Sequence, residues 1–589
     1  MDLRHRPVPD RLRRLEHRRR PDGRLRRAVR TACNGRRRQR RRTDLHGKGS
    51  YTAYLKRDAR KKSIGKIYIN IVDKIDFEPS AGTTVFGLVS SEEGPVANVV
   101  VSDGTEVTVT DDKGIYELKS AKKWGYVFIS VPSGYEVAAE GVFPQFYQTL
   151  KGAADVVEQK DFKLTKVDGQ DRYKLFLLGD MHLANRTNDA AQFTQFTTDL
   201  NAYMAQHSGQ KMYALTLGDM TWDLYWYKNN YALPQYRETI NRQVKNLQIY
   251  HTMGNHDNDF MTTSDYDAAV KYVDCIGPTF YSFNIGQVHY VVMDNIDCSA
   301  YDGTDSRNYV KKLSNEQLKW LAKDLAYVDK STPLIVAMHA QIYKPTSTGF
   351  AFDHDSANTE ALLAALDGYE VHFVTGHTHK VYNITPDDDV VKGRDIHEHN
   401  SGAICASWWW SGNLTPGVHV SIDGAPGGYA IWDIDGTDFA WLYKSTGWPE
   451  EYQFRSYDLN NVSFSMDDVP NIPSNVLIQL DYKKYVNAYP ENSDNEVLIK
   501  IWNWNSNWEL SVVERGKTLE YTPVWAYDPL HIAALSVPRF NNSGITSTPS
   551  FVTESATNFF KVKADDADVD LTITVKDEFG NEWTENMQR

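Results

Sequence analysis

Apolar runs that stop abruptly at polar motifs recur five times in the middle of this chain. Residues 174–178 run into Asp180-Met181-His182, and 213–217 into Gly218-Asp219. The run 247–250 leads towards Gly254-Asn255-His256-Asp257, 333–337 towards His339, and 371–374 into Gly376-His377-Thr378-His379. Short continuous apolar runs predict buried strands. Helical patterns at 191–205 and 315–328 fall between them, so strand and helix alternate across a domain at 171–447. Residues 281–286 and 289–294 predict a hairpin inside it. On both flanks the pattern changes to short alternating runs separated by turn residues. The runs 84–89, 97–104, 106–110, 115–118, 126–131 and 161–164 predict a small sandwich over 83–168. The runs 497–504 and 569–575, with a hairpin signal at 577–581, predict a second β domain over 448–589.

Polar groups at the carboxyl ends of neighbouring strands converge on one crevice. Asp, His and Asn offer the mixed oxygen and nitrogen donors that divalent transition metals accept. The ordered set D-x-H, GD, GNH plus an acid, a lone His and GH-x-H resembles the calcineurin-like metallophosphoesterase superfamily. A single GD or His is weak; five motifs in order, each after a predicted strand, are specific. The flanking β patterns also resemble the three-part bacterial members, and the first of them resembles an immunoglobulin-like or carboxypeptidase-regulatory-like module. The resemblance implies an α/β four-layer (αββα) core with the metals at one edge, flanked by two small all-β domains.

Carried over residue by residue, the resemblance implies one metal held by Asp180, His182, Asp219 and His379. A second is held by Asp219, Asn255, His339 and His377, with Asp219 bridging. Two divalent ions (Mn, Fe or Zn) are expected. A carboxylate bridging cations ~3.5–4 Å apart lets them share a hydroxide and clamp a phosphoryl group. Neutral Asn255 leaves the site net positive for an anionic substrate. His256 resembles the residue that contacts the phosphate and protonates the departing oxygen, a task suited to an imidazole near pH 7. Asp257, next in sequence, is its expected partner, and Arg186 is a further candidate for binding substrate phosphate. The function expected is hydrolysis of phosphomonoesters or phosphodiesters. The alternative is a silent phosphoesterase-like protein that binds glycan or cell surface through its β domains.

Charge refines the partners. Residues 1–62 carry 24 Lys and Arg against 6 Asp and Glu, while the whole chain has net charge −12. The body is therefore strongly acidic, which disfavours bulk nucleic acid and favours a small phosphoester. The Arg-rich 1–62 reads as a mis-assigned start translated from a neighbouring frame, or else as a basic arm that would suit a nuclease. Either way it is expected to be disordered in isolation, with 63–82 a linker. No charged-then-apolar signal opens the sequence. Three-part relatives are commonly exported, so a periplasmic or exported location is expected if the true start carries a signal peptide. No apolar stretch approaches the ~20 residues of a membrane helix. Cys33, Cys275, Cys298 and Cys405 lack metal spacing and read as free thiols, although a Cys275–Cys298 bridge is open. His397 and His399 flank Glu398 on what reads as a solvated strand. Trp408-Trp409-Trp410 reads as a strand with one face in the core and the other free to stack on a ligand.

Overall fold

The computed structural model describes residues 49–57, 62–71 and 77–589. They fall into two units, one ending at Glu78 and one running from Pro79 to Arg589. In the first, Gly49–Arg57 and Lys62–Ile71 form an antiparallel hairpin. Its second strand runs through much of the segment that composition marks as a linker, and Ile67, Ile69 and Ile71 alternate there as a strand requires. Residues 1–48, and with them the choice between mis-assigned start and basic arm, lie outside the described residues.

The second unit is centred on two sheets. One has the strand order Gln248–Tyr250, Lys211–Thr216, Arg172–Leu178, Gly428–Asp435, Asp438–Ser445. Its first three strands are parallel, Gly428–Asp435 runs antiparallel to them, and Asp438–Ser445 turns back antiparallel to Gly428–Asp435. The other has the order Tyr281–Ile285, Val288–Val292, Leu334–Ala337, Val371–Thr375, Ile396–Ser401, Val381–Ile384. Its four central strands are parallel. Both faces are buried, which is why these strands read as unbroken apolar runs. Tyr173, Leu175 and Leu177 enter the core between the sheets with Ile335 and Phe373. Phe176 and Leu178, on the opposite face, pack with Phe193 and Leu200 of helix Asp189–Gln206. Helices Asn315–Asp324 and Ser356–Ala365 contribute Trp320, Leu321, Leu362 and Leu363. The result is the four-layer core with the expected hairpin, Tyr281–Ile285 with Val288–Val292.

The N-terminal sandwich joins an edge of this core. Val131 bridges to Phe283, and the Asn284 N–H donates to the Val131 carbonyl at 2.8 Å. The C-terminal domain pairs two four-stranded sheets around Val497, Ile499, Val512, Leu571 and Ile573. It also holds helix Val476–Ala488, which the strand patterns did not announce. That helix buries Ile478, Tyr482 and Tyr485 but exposes Val476, Leu477 and Leu480, so apolar residues on both faces blur its period. The domain docks through a buried pair, Lys500 Nζ to Asp423 Oδ2 at 3.4 Å. A short helical segment running from Pro529 to Phe540, with a π-helical turn at Ile532–Ser536, brings His531 to the Ser407 hydroxyl at 2.6 Å. Among the described residues Cys275, Cys298 and Cys405 are free, and no helix is long and apolar enough to cross a membrane.

Candidate metal centre

Each motif leaves its strand through a tight turn. Asp180, His182, Asp219, His377 and His379 all take left-handed backbone, with φ of 52°, 44°, 54°, 68° and 55°. Non-glycine residues adopt this only where the surroundings enforce it. Here parallel pairing continues past the strands, with the His182 N–H donating to the Asp219 carbonyl at 2.8 Å. The glycines of the motifs make room for the ligands. A Cβ at Gly254 would strike the Asp219 carboxylate, and one at Gly376 the Asp180 carboxylate.

These turns bring all seven expected ligand residues together in the protein interior. The Asp219 carboxylate is split between two tasks. Its Oδ1 accepts the His256 N–H at 2.7 Å. Its Oδ2 faces His182 Nε2 at 3.4 Å and His339 Nε2 at 3.3 Å, one on either side. On the first side, Asp180 Oδ1 lies 3.3 Å from His379 Nε2, which is 3.0 Å from His182 Nε2. On the second, Asn255 Oδ1 lies 2.9 Å from His339 Nε2 and 3.0 Å from His377 Nδ1.

The donor set fits two ions. A tetrahedral ion with bonds of about 2.0–2.2 Å holds its donors roughly 3.4 Å apart, the spacing found here. Asp180 Oδ1 is buried without a hydrogen-bond partner, while Oδ2 of the same carboxylate accepts the His377 N–H at 2.9 Å. His339 Nδ1 and His379 Nδ1 donate to the carbonyls of Leu217 and Ala406 at 2.7 and 2.8 Å. That fixes the tautomer and turns each Nε2 lone pair into the site. Burial pushes the His182 imidazole down to about 4, so it is neutral and able to ligate. Burial works against both carboxylates, but the surrounding histidines outweigh it and hold Asp180 and Asp219 ionised.

His256 stands beside this set without joining either group of four. Its Nδ1 is 2.7 Å from Asp223 Oδ1, and 16% of its side chain is exposed. Burial alone would lower its pKa, but Asp219 and Asp223 raise it. The expected partner, Asp257, is thereby corrected to Asp223. Asp257 instead accepts the backbone N–H groups of Gly254 and Thr221, each at 3.1 Å, and of Met220 at 3.3 Å. It ties the GD turn to the GNH turn.

The tryptophan triplet does not form a strand. Trp408 and Trp409 have φ of 51° and 65°, and Trp410 opens the short helix Trp410–Leu414. Trp409 is core, with its Nε1 donating to the Met181 carbonyl at 2.8 Å. Trp408 stacks on His379 at 3.9 Å between ring centroids and on Phe551 of the C-terminal domain at 4.2 Å. Trp222, unremarked in the sequence, lies 5.3 Å from both His182 and His256. Arg186 is not among the ligands; its guanidinium lies 4.6 Å over the Trp222 ring. The pair flanking Glu398 is not solvated: His399 is buried and stacks 5.4 Å from His372, and Glu398 accepts the N–H groups of Ile342 and Tyr343 at 2.8 and 2.9 Å.

Comparison with known proteins gives three adjoining family matches. Residues 173–381 match calcineurin-like phosphoesterase, 83–167 the N terminal of calcineurin-like phosphoesterase, and 398–583 its C terminal. No curated protein matches the chain. Solved structures with some likeness include a dimetal phosphatase from Danio rerio, at 12% identity and TM-score 0.34, over 46% of this chain and 96% of that one. A purple acid phosphatase from yellow lupin (Lupinus luteus) seeds is similar at 15% identity and TM-score 0.32, over 47% of this chain and 52% of that one. The NAD nucleotidase of Haemophilus influenzae is similar at 10% identity and TM-score 0.27, over 47% of this chain and 50% of that one.

Proposed function

Because this chain belongs to the calcineurin-like phosphoesterase family, in the form with both N-terminal and C-terminal extension domains, it is a metal-dependent hydrolase, and we propose that it cleaves a small phosphoester at the centre around Asp219. Asp180, His182, Asp219 and His379 would hold one divalent ion, and Asp219, Asn255, His339 and His377 the other. When bound, such ions supply Lewis acidity towards the phosphoryl oxygens and a nucleophilic water.

The remaining work falls to the chain itself. Asp219 would bridge the two ions, since its Oδ2 faces both donor groups while its Oδ1 is anchored by the backbone. That arrangement is the observation that carries the proposal. His256, oriented by Asp223 through Nδ1, keeps Nε2 for a substrate oxygen and protonates the leaving group. The buried turns under Asp257 keep His256 and Asn255 in register with Asp219. An acidic body repels polyanions, so a monoester or diester of a small alcohol is the preferred substrate class.

The test is hydrolysis of an aryl phosphate monoester and diester by the full chain, with manganese, with chelator, and with His256→Ala. Turnover should require metal, and the substitution should lower kcat by roughly 10²–10⁴-fold while bound metal, measured by elemental analysis, is retained. Metal-loaded protein that cleaves neither ester, or a His256→Ala variant at full rate, would overturn the proposal.

A further inference from the structure

Beside the metal centre, two guanidinium groups lie against one indole. The Arg186 guanidinium lies 5.3 Å from the Trp410 ring centroid and that of Arg539 4.4 Å from it. Each is also held by a second aromatic group, Arg186 over Trp222 at 4.6 Å and Tyr225 at 4.9 Å, Arg539 over Phe551 at 5.8 Å. Aromatic faces stabilise such cations but do not neutralise them. Neither guanidinium forms an ion pair among the described residues, and Nη1 of each is buried with no hydrogen-bond partner. Asp189, whose charge reaches Arg186, is occupied by the N–H groups of Ala184 and Ala190, each at 2.7 Å. Arg539 has only the Ser550 hydroxyl, at 3.5 Å.

Two like charges, partly desolvated and without an ion-pair partner, raise each other's cost. The fold nevertheless brings them together from two domains, Arg186 from the turn after His182 and Arg539 from the segment anchored by His531. Arg186 sits one indole away from the reacting groups, since Trp222 contacts Arg186, His182 and His256, and Arg539 follows across the Trp410 ring. Trp408, Trp410 and Phe551 are all half-buried and leave part of their surface open.

We propose that Arg186 and Arg539, walled by Trp408, Trp410 and Phe551, form a subsite for a second anionic group of the substrate, on the leaving-group side of the scissile ester. The preferred substrate then carries two acidic groups, the second being phosphoryl or carboxylate, either of which a guanidinium fork can engage. The leaving-group side follows from His256, the proposed proton donor to that oxygen, which shares Trp222 with Arg186. The assignment rests on the phosphoesterase reading given above.

The test compares three six-carbon sugar phosphates with the full chain: glucose 6-phosphate, 6-phosphogluconate and glucose 1,6-bisphosphate. The wild type should favour one doubly acidic substrate over glucose 6-phosphate by roughly tenfold or more in kcat/KM, a range expected for charge-assisted hydrogen bonds. Whether 6-phosphogluconate or the bisphosphate wins identifies the second group. Arg539→Ala should lower kcat/KM for the winner about tenfold beyond any loss on glucose 6-phosphate, and Arg539→Lys should recover part of it. Calorimetric binding of the same compounds to chelator-treated protein gives an independent reading, with the same ranking and the same loss in Arg539→Ala. A preference lost in Arg539→Ala in either measurement supports the subsite, even if nothing is turned over and the phosphoesterase reading fails. Equal behaviour of all three compounds in both measurements, while glucose 6-phosphate is hydrolysed, would overturn the subsite and leave the phosphoesterase reading standing.

Discussion

Asp223 raises the pKa of His256 and orients its ring, so its removal should leave two separate marks. Asp223→Asn should lower kcat, and it should also move the alkaline limb of the kcat–pH profile to lower pH. The sign follows from the acid role: His256 must be protonated to donate, and without the Asp223 charge it loses its proton sooner as pH rises. A role confined to structure would not shift that limb. Asp257 makes the opposite prediction. Asp257→Ala leaves three backbone N–H groups without their acceptor. It should cost about 1–3 kcal/mol or more of stability in urea unfolding, with the midpoint of the transition as the readout. The seven residues that gather around Asp219 were legible in the sequence as a set because the type and order of the motif residues mark them. Asp223 was not, because it stands 33 residues from His256 and gains its role only when two turns meet. The adjacency that suggested Asp257 misleads for a geometric reason. Asn255–Asp257 is a 3-10 turn, in which consecutive side chains diverge by about 120°.

The strand-end turns and the loop carrying Trp408 are the elements that shape the centre. The strands were readable from their apolar runs. The triplet Trp408-Trp409-Trp410 was not, since left-handed backbone at tryptophan has no sequence signal. What holds that loop comes from elsewhere: the Ser407 hydroxyl meets His531 Nε2 at 2.6 Å, and His531 Nδ1 meets Thr553 Oγ1 at 2.8 Å. Burial pushes His531 down to about 3, well below the ordinary histidine range. Unfolded chain therefore binds a proton that folded chain refuses between roughly pH 6.5 and 3. Stability should fall as pH drops through that window, and this residue's share of the slope should vanish in His531→Gln. Urea unfolding of both proteins from pH 7 to 4 checks it; parallel curves would show that His531 titrates alike in both states.

At the scale of the whole molecule, the hydrophobic pattern foretold three β- or α/β-type modules but not how they lock. The patterns of 83–168 and 448–589 show half-buried strands and leave their outward faces undecided, so docking had no signature. The C-terminal domain locks through Lys500 and Asp423, both 1% exposed. Lys500→Ala should cost about 3–5 kcal/mol by stranding a buried carboxylate, read as a lowered urea midpoint, whereas a surface substitution such as Lys517→Ala should leave the midpoint nearly where it is. The same docking delivers Arg539 and Phe551 to the rim of the centre, while the five strand ends that build the centre lie in the middle domain. Choice of substrate is thus written partly outside the stretch of chain that carries the reaction. Substitutions confined to 537–551 can alter what the enzyme accepts while every metal ligand stays in place. A lineage of such proteins can therefore move between substrates without passing through an inactive ancestor.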